Sequence, residues 1–127
     1  MEKRPCVLIA DDEEGIRESL RLILDRDYEV EFAEDGNQVM KKLSEQSIDL
    51  LMLDIKMPRM DGVAVMRALY EKRIPVRVLI LTAYQSVEFA KEAIRLGAIN
   101  YLPKPFERKD VLEAVRDALL KPVSVKL

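Results

Sequence analysis

Short apolar runs alternate with amphipathic segments along the chain. Five runs predict strands, at about 6–10, 29–33, 49–54, 76–81 and 99–102. Four of them are nearly continuous Val, Ile, Leu and Met, as expected for strands covered on both faces of a sheet. The run 29–33 alternates polar and apolar residues instead, which favours an edge strand.

The segments between these runs carry apolar residues at helical spacing and predict five helices. The first covers about 15–26, the second follows the Asp35-Gly36 turn, and the third begins at Asp61-Gly62, where Asp61 suits an N-cap. The fourth runs from about Ser86 to Gly97, and the fifth from about Glu107 to Leu120. The residues expected to face the sheet are Ile16, Leu20, Ile23 and Leu24 in the first helix, Val39, Met40 and Leu43 in the second, Val65, Met66 and Leu69 in the third, and Val111, Leu112, Val115 and Leu119 in the fifth.

Five strand–helix units with right-handed crossovers predict a doubly wound α/β fold of three layers. The expected topology is flavodoxin-like, with a parallel sheet in the order 2-1-3-4-5 and a switch point between the first and third strands. We expect one domain over residues 1–120. Residues 121–127 are interpreted as a linker to a further part of a longer protein, with the end of a stand-alone protein as the alternative.

Composition narrows the class of protein. The chain is 49% hydrophobic and 35% charged, with a net charge of -2, which is typical of a soluble globular domain without a general attraction to nucleic acid. The single cysteine, Cys6, excludes an internal disulfide and favours a reducing compartment, so we expect a cytoplasmic protein without membrane contact. The absence of histidine excludes a Ser-His-Asp triad and a histidine-ligated zinc site.

Polar residues follow four of the predicted strands. Asp11 and Asp12 come after the first strand, and Asp54, Thr82 and Lys104 end or follow the third, fourth and fifth. Ligands bind beyond the carboxyl ends of strands in open parallel sheets, so these side chains should meet in one crevice. Three carboxylates would repel one another and raise one pKa, unless a hard cation such as Mg²⁺ lies among them.

The same residue types suit phosphoryl transfer. A carboxylate such as Asp54 can attack phosphorus as a covalent nucleophile. Lys104 would pair with a phosphoryl oxygen, and the Thr82 hydroxyl would hydrogen-bond another. The reaction needs positioning and charge neutralisation more than a general base, so the lack of histidine is no obstacle.

Each of these residues also has an ordinary interpretation when it is taken alone. Asp11 and Asp12 could simply favour a helix N-terminus, Thr82 could be a strand residue or an N-cap, and Lys104 could lie in an exposed turn. Asp54 is the stronger signal, because a carboxylate that ends an apolar strand is either a cap or a site residue. Together, the ordinary interpretations require four coincidences at one edge of one sheet.

Four motifs carry a family resemblance: IADDE at 9–13, LDIKMPRMDG at 53–62, LTAY at 81–84 and GAINYLPKPF at 97–106. Over its length to about Leu120, the chain resembles the receiver domain of two-component response regulators. Segment 98–106 most resembles receivers of the nitrogen-regulation type, which precede an ATPase and a DNA-binding domain. The chain departs from the family at Arg59, where a small residue is more common, and this leaves the conformation of that turn open.

The resemblance implies a role for each matching position. It implies that Asp54 is the phosphoacceptor, that Asp11, Asp12, Asp54 and the backbone carbonyl of Lys56 bind Mg²⁺ or Mn²⁺, that Thr82 and Lys104 sense the phosphoryl group, and that Tyr101 is the aromatic switch residue. It also implies a cis bond between Lys104 and Pro105.

The resemblance also implies partners. The phosphodonor would be a histidine kinase or a histidine phosphotransfer protein, which docks beside the site on Ile16, Ser19, Pro105 and Phe106. On the fourth helix we expect a core stripe of Val87, Ala90 and Ile94. A second stripe of Phe89, Ala93 and Leu96 is either a wide core contact or a partner face. The fourth helix, fifth strand and fifth helix together form the candidate surface for a homodimer.

The resulting interpretation is a Mg²⁺-dependent switch that catalyses its own phosphorylation and dephosphorylation and is no metabolic enzyme. It would belong to a transcriptional regulator or act as a stand-alone relay protein, without touching nucleic acid itself. The alternative is a pseudo-receiver that only binds partners. A flavodoxin-like cofactor carrier is disfavoured by the acidic segment 11–14, and a haloacid-dehalogenase-type phosphatase by Lys56, which stands where that family needs a second aspartate.

Overall fold

Strands and helices alternate along the described part of the chain, which in this computed structural model comprises residues 3–83 and 87–123. The strands are β1 (Cys6–Ala10), β2 (Glu29–Ala33), β3 (Leu50–Asp54), β4 (Arg77–Ala83) and β5 (Asn100–Lys104). The helices are α1 (Glu14–Leu24), α2 (Gly36–Glu45), α3 (Gly62–Lys72), α4 (Val87–Arg95) and α5 (Arg108–Leu120).

The five strands form one parallel sheet in the order β2-β1-β3-β4-β5, which confirms the predicted topology. The register decides where the polar ends of the strands meet. Ala10 pairs with Leu53, so the residues that come next, Asp11 and Asp54, lie side by side at the carboxyl ends of neighbouring strands. Ala83 pairs with Lys104, which brings the end of β5 to that edge as well.

Alternation along each strand divides the core into two layers. Leu8, Leu51 and Ile80 point to one face, where they pack with apolar residues of α2, α3 and α4. Val7 and Met52 point to the other face, which α1 and α5 cover. Burying a side chain of this size contributes roughly 1.5–3 kcal/mol to stability, so the buried central strands hold the residues at their carboxyl ends firmly in place.

Two helices begin as the sequence predicts. Asp35 caps α2 by accepting the Gln38 N–H at 2.9 Å, and Asp61 caps α3 by accepting the Ala64 N–H at 2.9 Å. In the described ranges, no helix has both the length and the apolar character that crossing a membrane requires.

The fifth strand differs from its prediction. It extends to Lys104, and only Leu102 of its five residues is buried, so the expectation that it is covered on both faces is wrong. The physical reason is its place at the edge of the sheet, where β4 pairs with one side only. The expectation for β2 is confirmed, because it forms the opposite edge and buries only Ala33 fully.

The orientation of α4 also differs. Ala90 and Ala93 are fully buried and Leu96 is 8% exposed, whereas Ile94 is 38% exposed. The predicted core position of Ile94 is therefore wrong. The burial of Leu96 agrees with the core-contact alternative for its stripe, and its use as a partner-docking residue stays a prediction. Small alanines let the helix approach the sheet closely, which turns the larger side chains outward. The predicted start at Ser86 and the side chain of Val87 lie outside the described residues.

Candidate functional site

Two aspartates follow β1 and differ sharply in exposure. Asp11 is fully buried, whereas Asp12 is exposed. Asp11 is held from three sides, since its N–H donates to the Ala33 carbonyl at 3.1 Å, its Oδ1 accepts the Glu13 N–H at 2.9 Å, and its Oδ2 faces Lys104. This carboxylate therefore has a fixed orientation at the carboxyl edge of the sheet.

Asp54 is the last residue of β3 and lies beside Asp11. Its exposure is 6%, and its Oδ1 accepts the Lys56 N–H at 3.3 Å. Gly62 stands behind it, and a Cβ added there would collide with the Asp54 carbonyl. The close approach of α3 to the end of β3 therefore requires glycine at position 62.

The Lys104 ammonium lies between the two buried carboxylates. Its Nζ is 2.7 Å from Asp11 Oδ2 and 3.6 Å from Asp54 Oδ2. Its primary partner is thus Asp11, a contact that sequence reasoning did not predict. The peptide bond that follows it, Lys104–Pro105, is cis, as the resemblance implied.

Burial and charge together shift the proton affinities of the site. Burial, reinforced by the neighbouring charge of Asp11, raises the pKa of Asp54 to about 6, although Lys104 opposes the shift. Burial alone would lower the pKa of Lys104, but its hydrogen bond to Asp11 and the charge of Asp54 outweigh that effect and raise it. The predicted rise of one carboxyl pKa therefore falls on Asp54, where burial contributes more than repulsion from Asp11.

The acids form a cluster that suits a metal ion. Asp11, Asp12 and Asp54 each offer a carboxylate oxygen, and these oxygens lie within 4.8 Å of one another. Hard divalent cations such as Mg²⁺ prefer oxygen ligands and retain some water, which the exposed Asp12 side of the cluster allows. A buried aspartate with a raised pKa is the further sign that a positive charge would be favourable here. The donor set fits Mg²⁺ or Mn²⁺.

The two predicted switch residues occupy neighbouring strands. Thr82 in β4 is 1% exposed, and its hydroxyl donates to the Ala83 carbonyl at 3.1 Å. Tyr101 in β5 is 39% exposed. The structure thus places the threonine inside and the tyrosine ring partly in solvent, and the movement between them stays a prediction.

The predicted docking residues do not share one environment. Ser19 and Pro105 are exposed, whereas Ile16 and Phe106 are half-buried against the core. Phe89 is 50% exposed on α4. These five are more accessible to a partner than Leu96, which is buried.

Sequence reasoning missed Arg17 as a site-supporting residue. Its side chain is buried, donates to the Asp11 carbonyl at 2.7 Å and to Glu34 at 3.3 Å, and lies 6.0 Å from the centre of the Phe32 ring. The available signal was its spacing, because Arg17 precedes Leu20 and Leu24 at i, i+3 and i+7 on the buried side of α1. A charged residue in that stripe needs a polar partner inside.

A second missed feature explains Arg59. This residue adopts a positive φ of 65° and forms an ion pair with Asp35. Asp35 Oδ2 lies 2.8 Å from Arg59 Nε and 2.7 Å from the terminal nitrogen Nη2. The turn thus adopts a left-handed conformation with a non-glycine residue, which answers the question that the sequence left open.

Comparison with known proteins gives a consistent result. The family model "Response regulator receiver domain" matches residues 7–116. Response regulator MprA of Mycobacterium ulcerans is 40% identical over 116 residues, which cover 91% of this chain and 50% of MprA. The chain spans about half the length of the curated relatives it matches.

Solved structures agree with this match. A response regulator receiver domain protein (CheY-like) from Methanospirillum hungatei superposes with a TM-score of 0.84 at 30% identity, covering 92% of this chain and 94% of the other. NtrX from Brucella abortus superposes with a TM-score of 0.83 at 27% identity, covering 91% of this chain and 27% of NtrX. Because MprA shows the higher identity, the nitrogen-regulation subtype stays a prediction.

Proposed function

The chain belongs to the response regulator receiver domain family, and we propose that it is a Mg²⁺-dependent switch that accepts a phosphoryl group on Asp54. The observation that supports this most directly is the meeting of Asp54, Asp11 and Lys104 at one edge of the sheet. The proposed donor is the phosphohistidine of a histidine kinase or of a histidine phosphotransfer protein.

The chemistry assigned to Asp54 is nucleophilic. One of its carboxylate oxygens bonds to phosphorus, the P–N bond of the donor breaks, and the electron pair of that bond returns to the donor imidazole. Its pKa of about 6 leaves Asp54 mostly ionised at neutral pH, so no general base is needed to activate it. Lys104 supplies a positive charge within reach of the oxygens that the phosphoryl group would bring.

The proposed metal ligands are Asp11, Asp12, Asp54 and the backbone carbonyl of Lys56. Mg²⁺ or Mn²⁺ supplies positive charge there that neutralises both the clustered carboxylates and the phosphoryl oxygens. The Lys104 ammonium pairs with Asp11 and so occupies the buried side of the acidic cluster. Asp12 is exposed, and a hydrated ion can enter from its side.

The proposed output is a population shift. Thr82 would turn its hydroxyl from the Ala83 carbonyl to the phosphoryl group, and Tyr101 would move from solvent into the space that Thr82 leaves. The response would then appear on the surface of α4, β5 and α5, where Phe89 is exposed. That surface is the proposed site of homodimerisation or of contact with an output partner.

The surroundings of the site suggest the donor's approach. The proposed dock for the donor's histidine-bearing helix consists of Ile16 and Ser19 on α1, which follows Asp11 and Asp12, and of Pro105 and Phe106, which follow Lys104. Transcriptional control through the remainder of a longer protein, and a cytoplasmic location, are proposed from the family relationship.

The test is phosphorylation with a small donor. The protein is incubated with acetyl phosphate and Mg²⁺, and its intact mass is measured. We expect one base-labile phosphoryl group on the wild type and none on Asp54→Asn, while Asp61→Asn, which changes an exposed acid of the same loop, should still be labelled. Labelling of Asp54→Asn to the wild-type extent would contradict the proposal, and an unlabelled wild type would favour a pseudo-receiver that only binds partners.

A further inference from the structure

The 33–36 segment, which ends β2 and begins α2, contributes no proposed metal ligand, yet both ligand-bearing loops are bonded to it. From the β1 side, the Asp11 N–H donates to the Ala33 carbonyl at 3.1 Å, and Arg17 connects the Asp11 carbonyl with Glu34. From the β3 side, Arg59 binds Asp35, and the Gly36 N–H donates to the Met60 carbonyl at 2.9 Å.

The contact at Gly36 leaves no space for a side chain. A Cβ at this position would collide with the Met60 carbonyl and with the Met60 side chain. The 55–61 loop therefore lies directly on the first residue of α2. The same loop is closed at its base, where the Gly62 N–H donates to the Ile55 carbonyl at 2.8 Å.

The two carboxylate oxygens of Asp35 bind different partners. Oδ1 caps α2 through the Gln38 N–H, while Oδ2 receives both Nε and a terminal nitrogen of Arg59. The Asp35 side chain is 5% exposed, so its charge is removed from water and needs these donors. The helix cap and the ion pair lower the pKa of Asp35, which keeps it ionised.

Arg59 holds its position against the preference of its backbone. Its φ of 65° is a left-handed conformation that glycine adopts at lower cost. A side chain kept in such a conformation is compensated by what it contacts, and here the contact is the buried Asp35 carboxylate.

We propose that Arg59 and Asp35 are positioning residues for the metal site: their ion pair fastens the 55–61 loop to the 33–36 segment. That segment also holds the loop of Asp11 and Asp12, through Ala33 and through Arg17 with Glu34, so the pair fixes the Lys56 carbonyl relative to those two acids. This inference rests on the proposed function, because it concerns the ligands of the proposed Mg²⁺ site.

Electrostatics alone makes the opposite prediction for one of the two residues. Removing the positive charge of Arg59 from the vicinity of a cation site should strengthen Mg²⁺ binding, and removing the negative charge of Asp35 should weaken it. A positioning role predicts that both changes weaken binding. Arg59 is therefore the residue whose substitution separates the two explanations.

The experiment measures Mg²⁺ affinity by isothermal titration calorimetry in the wild type, Arg59→Gln, Asp35→Asn and the double variant. Asparagine is as good an N-cap as aspartate, so Asp35→Asn keeps the α2 cap. We expect each single change to raise the Mg²⁺ Kd about three- to tenfold, below the roughly 10–100-fold cost of losing a group that directly orients a ligand. The double variant should bind no more weakly than the weaker single variant, because the two residues act as one pair.

A matched control is available on the same helix. Lys42 of α2 forms an ion pair of 2.9 Å with Glu31 of β2, away from both ligand-bearing loops. Lys42→Gln should leave the Mg²⁺ Kd unchanged. Arg59→Lys keeps the charge but loses the two-nitrogen contact, so its Mg²⁺ Kd should lie between those of the wild type and Arg59→Gln. If Arg59→Gln does not fold, the comparison of Arg59→Lys with the wild type replaces it.

The outcomes separate the two proposals. Wild-type or tighter Mg²⁺ binding in the Arg59 variants would overturn the positioning role, as would independent, additive losses in the double variant. A wild type whose Mg²⁺ binding is absent, or is unaffected by Asp12→Ala, would instead overturn the proposed metal site, and the positioning role with it.

Discussion

The carboxyl edge of the sheet around Asp54 and the surface of α4 and β5 are packed in contrasting ways. At the edge, Asp11 and Asp54 are almost completely buried and held by directed hydrogen bonds. On α4 and β5, the large side chains of Phe89, Ile94 and Tyr101 are 38–50% exposed, and alanines make the contact with the sheet. The first region is suited to fixed chemistry, whereas the second has little apolar burial to resist a rearrangement.

This contrast suits the proposed roles of the two regions, with chemistry at the edge around Asp54 and a conformational response on the surface of α4 and β5. Chemistry at a carboxylate requires geometry fixed in advance, which residues on buried central strands provide. A response surface requires alternative packings of similar free energy, and the proposed surface lies on an edge strand beside a helix with little apolar burial. Thr82 lies between the two regions, because it is buried on β4 between the central β3 and the edge strand β5.

The largest expected difference between the regions is in stability. Leu51→Ala, in the fully buried centre of β3, should lower the free energy of unfolding by about 2–5 kcal/mol. Phe89→Ala removes a larger but half-exposed side chain and should cost less than about 1 kcal/mol. Urea titrations of both variants test this, and equal losses would show that α4 is as firmly packed as the centre of the sheet.

The next effect concerns the ionisation of Asp54, which burial makes unfavourable and the neighbouring charge of Asp11 makes more so. The pKa of Asp54 rises on folding to about 6 from its ordinary 3.8, so the folded protein binds an extra proton between these values. This contribution to stability is complete below about pH 4 and is lost as the pH rises through 6, by about 3 kcal/mol. In metal-free buffer, Asp54→Asn should therefore be more stable than the wild type at pH 7.5 by up to that amount.

The same comparison at low pH provides the check. Near pH 4 the advantage of Asp54→Asn should have largely disappeared, because the wild-type carboxyl is then protonated in the folded state. Asp117→Asn, an exposed change on α5, should not reproduce the pattern. An Asp54→Asn variant with the same stability difference from the wild type at both pH values would show that the raised pKa of Asp54 is not the cause.

These effects depend on features that differ in how well the sequence predicts them. The strands and the site acids are predictable, because near-continuous apolar runs mark buried strands and a polar residue at the end of such a run has few other uses. The register then follows from the parallel fold, and it places Asp11 beside Asp54.

The features that the sequence does not predict are those decided by contacts between distant elements. Hydrophobic size favours Ile94 as a core residue of α4, but close packing through Ala90 and Ala93 turns it outward. The partners of Arg17 and Arg59 likewise depend on which loops the fold brings together. No periodicity within one helix or loop carries that information.

A smaller effect is expected for the transmission between the regions. A beryllofluoride complex, which mimics a phosphoryl group without a covalent bond, should change NMR chemical shifts at Phe89 and Tyr101 in the wild type. Thr82→Ala should bind the mimic but lose most of this distal change, because the hydroxyl that would follow the mimic is absent. Thr82→Ser keeps the hydroxyl and should retain it. Equal distal changes in wild type and Thr82→Ala would exclude Thr82 as the connection.

The most direct test of the central proposal identifies the phosphorylated residue itself. The protein is treated with acetyl phosphate and Mg²⁺, the acyl phosphate is reduced with borohydride to homoserine, and the peptides are sequenced by mass spectrometry. The account predicts homoserine at the position of Asp54 and unchanged aspartate at Asp11 and Asp12. Homoserine at the position of Asp11 or Asp12, or at none of the three, would contradict it.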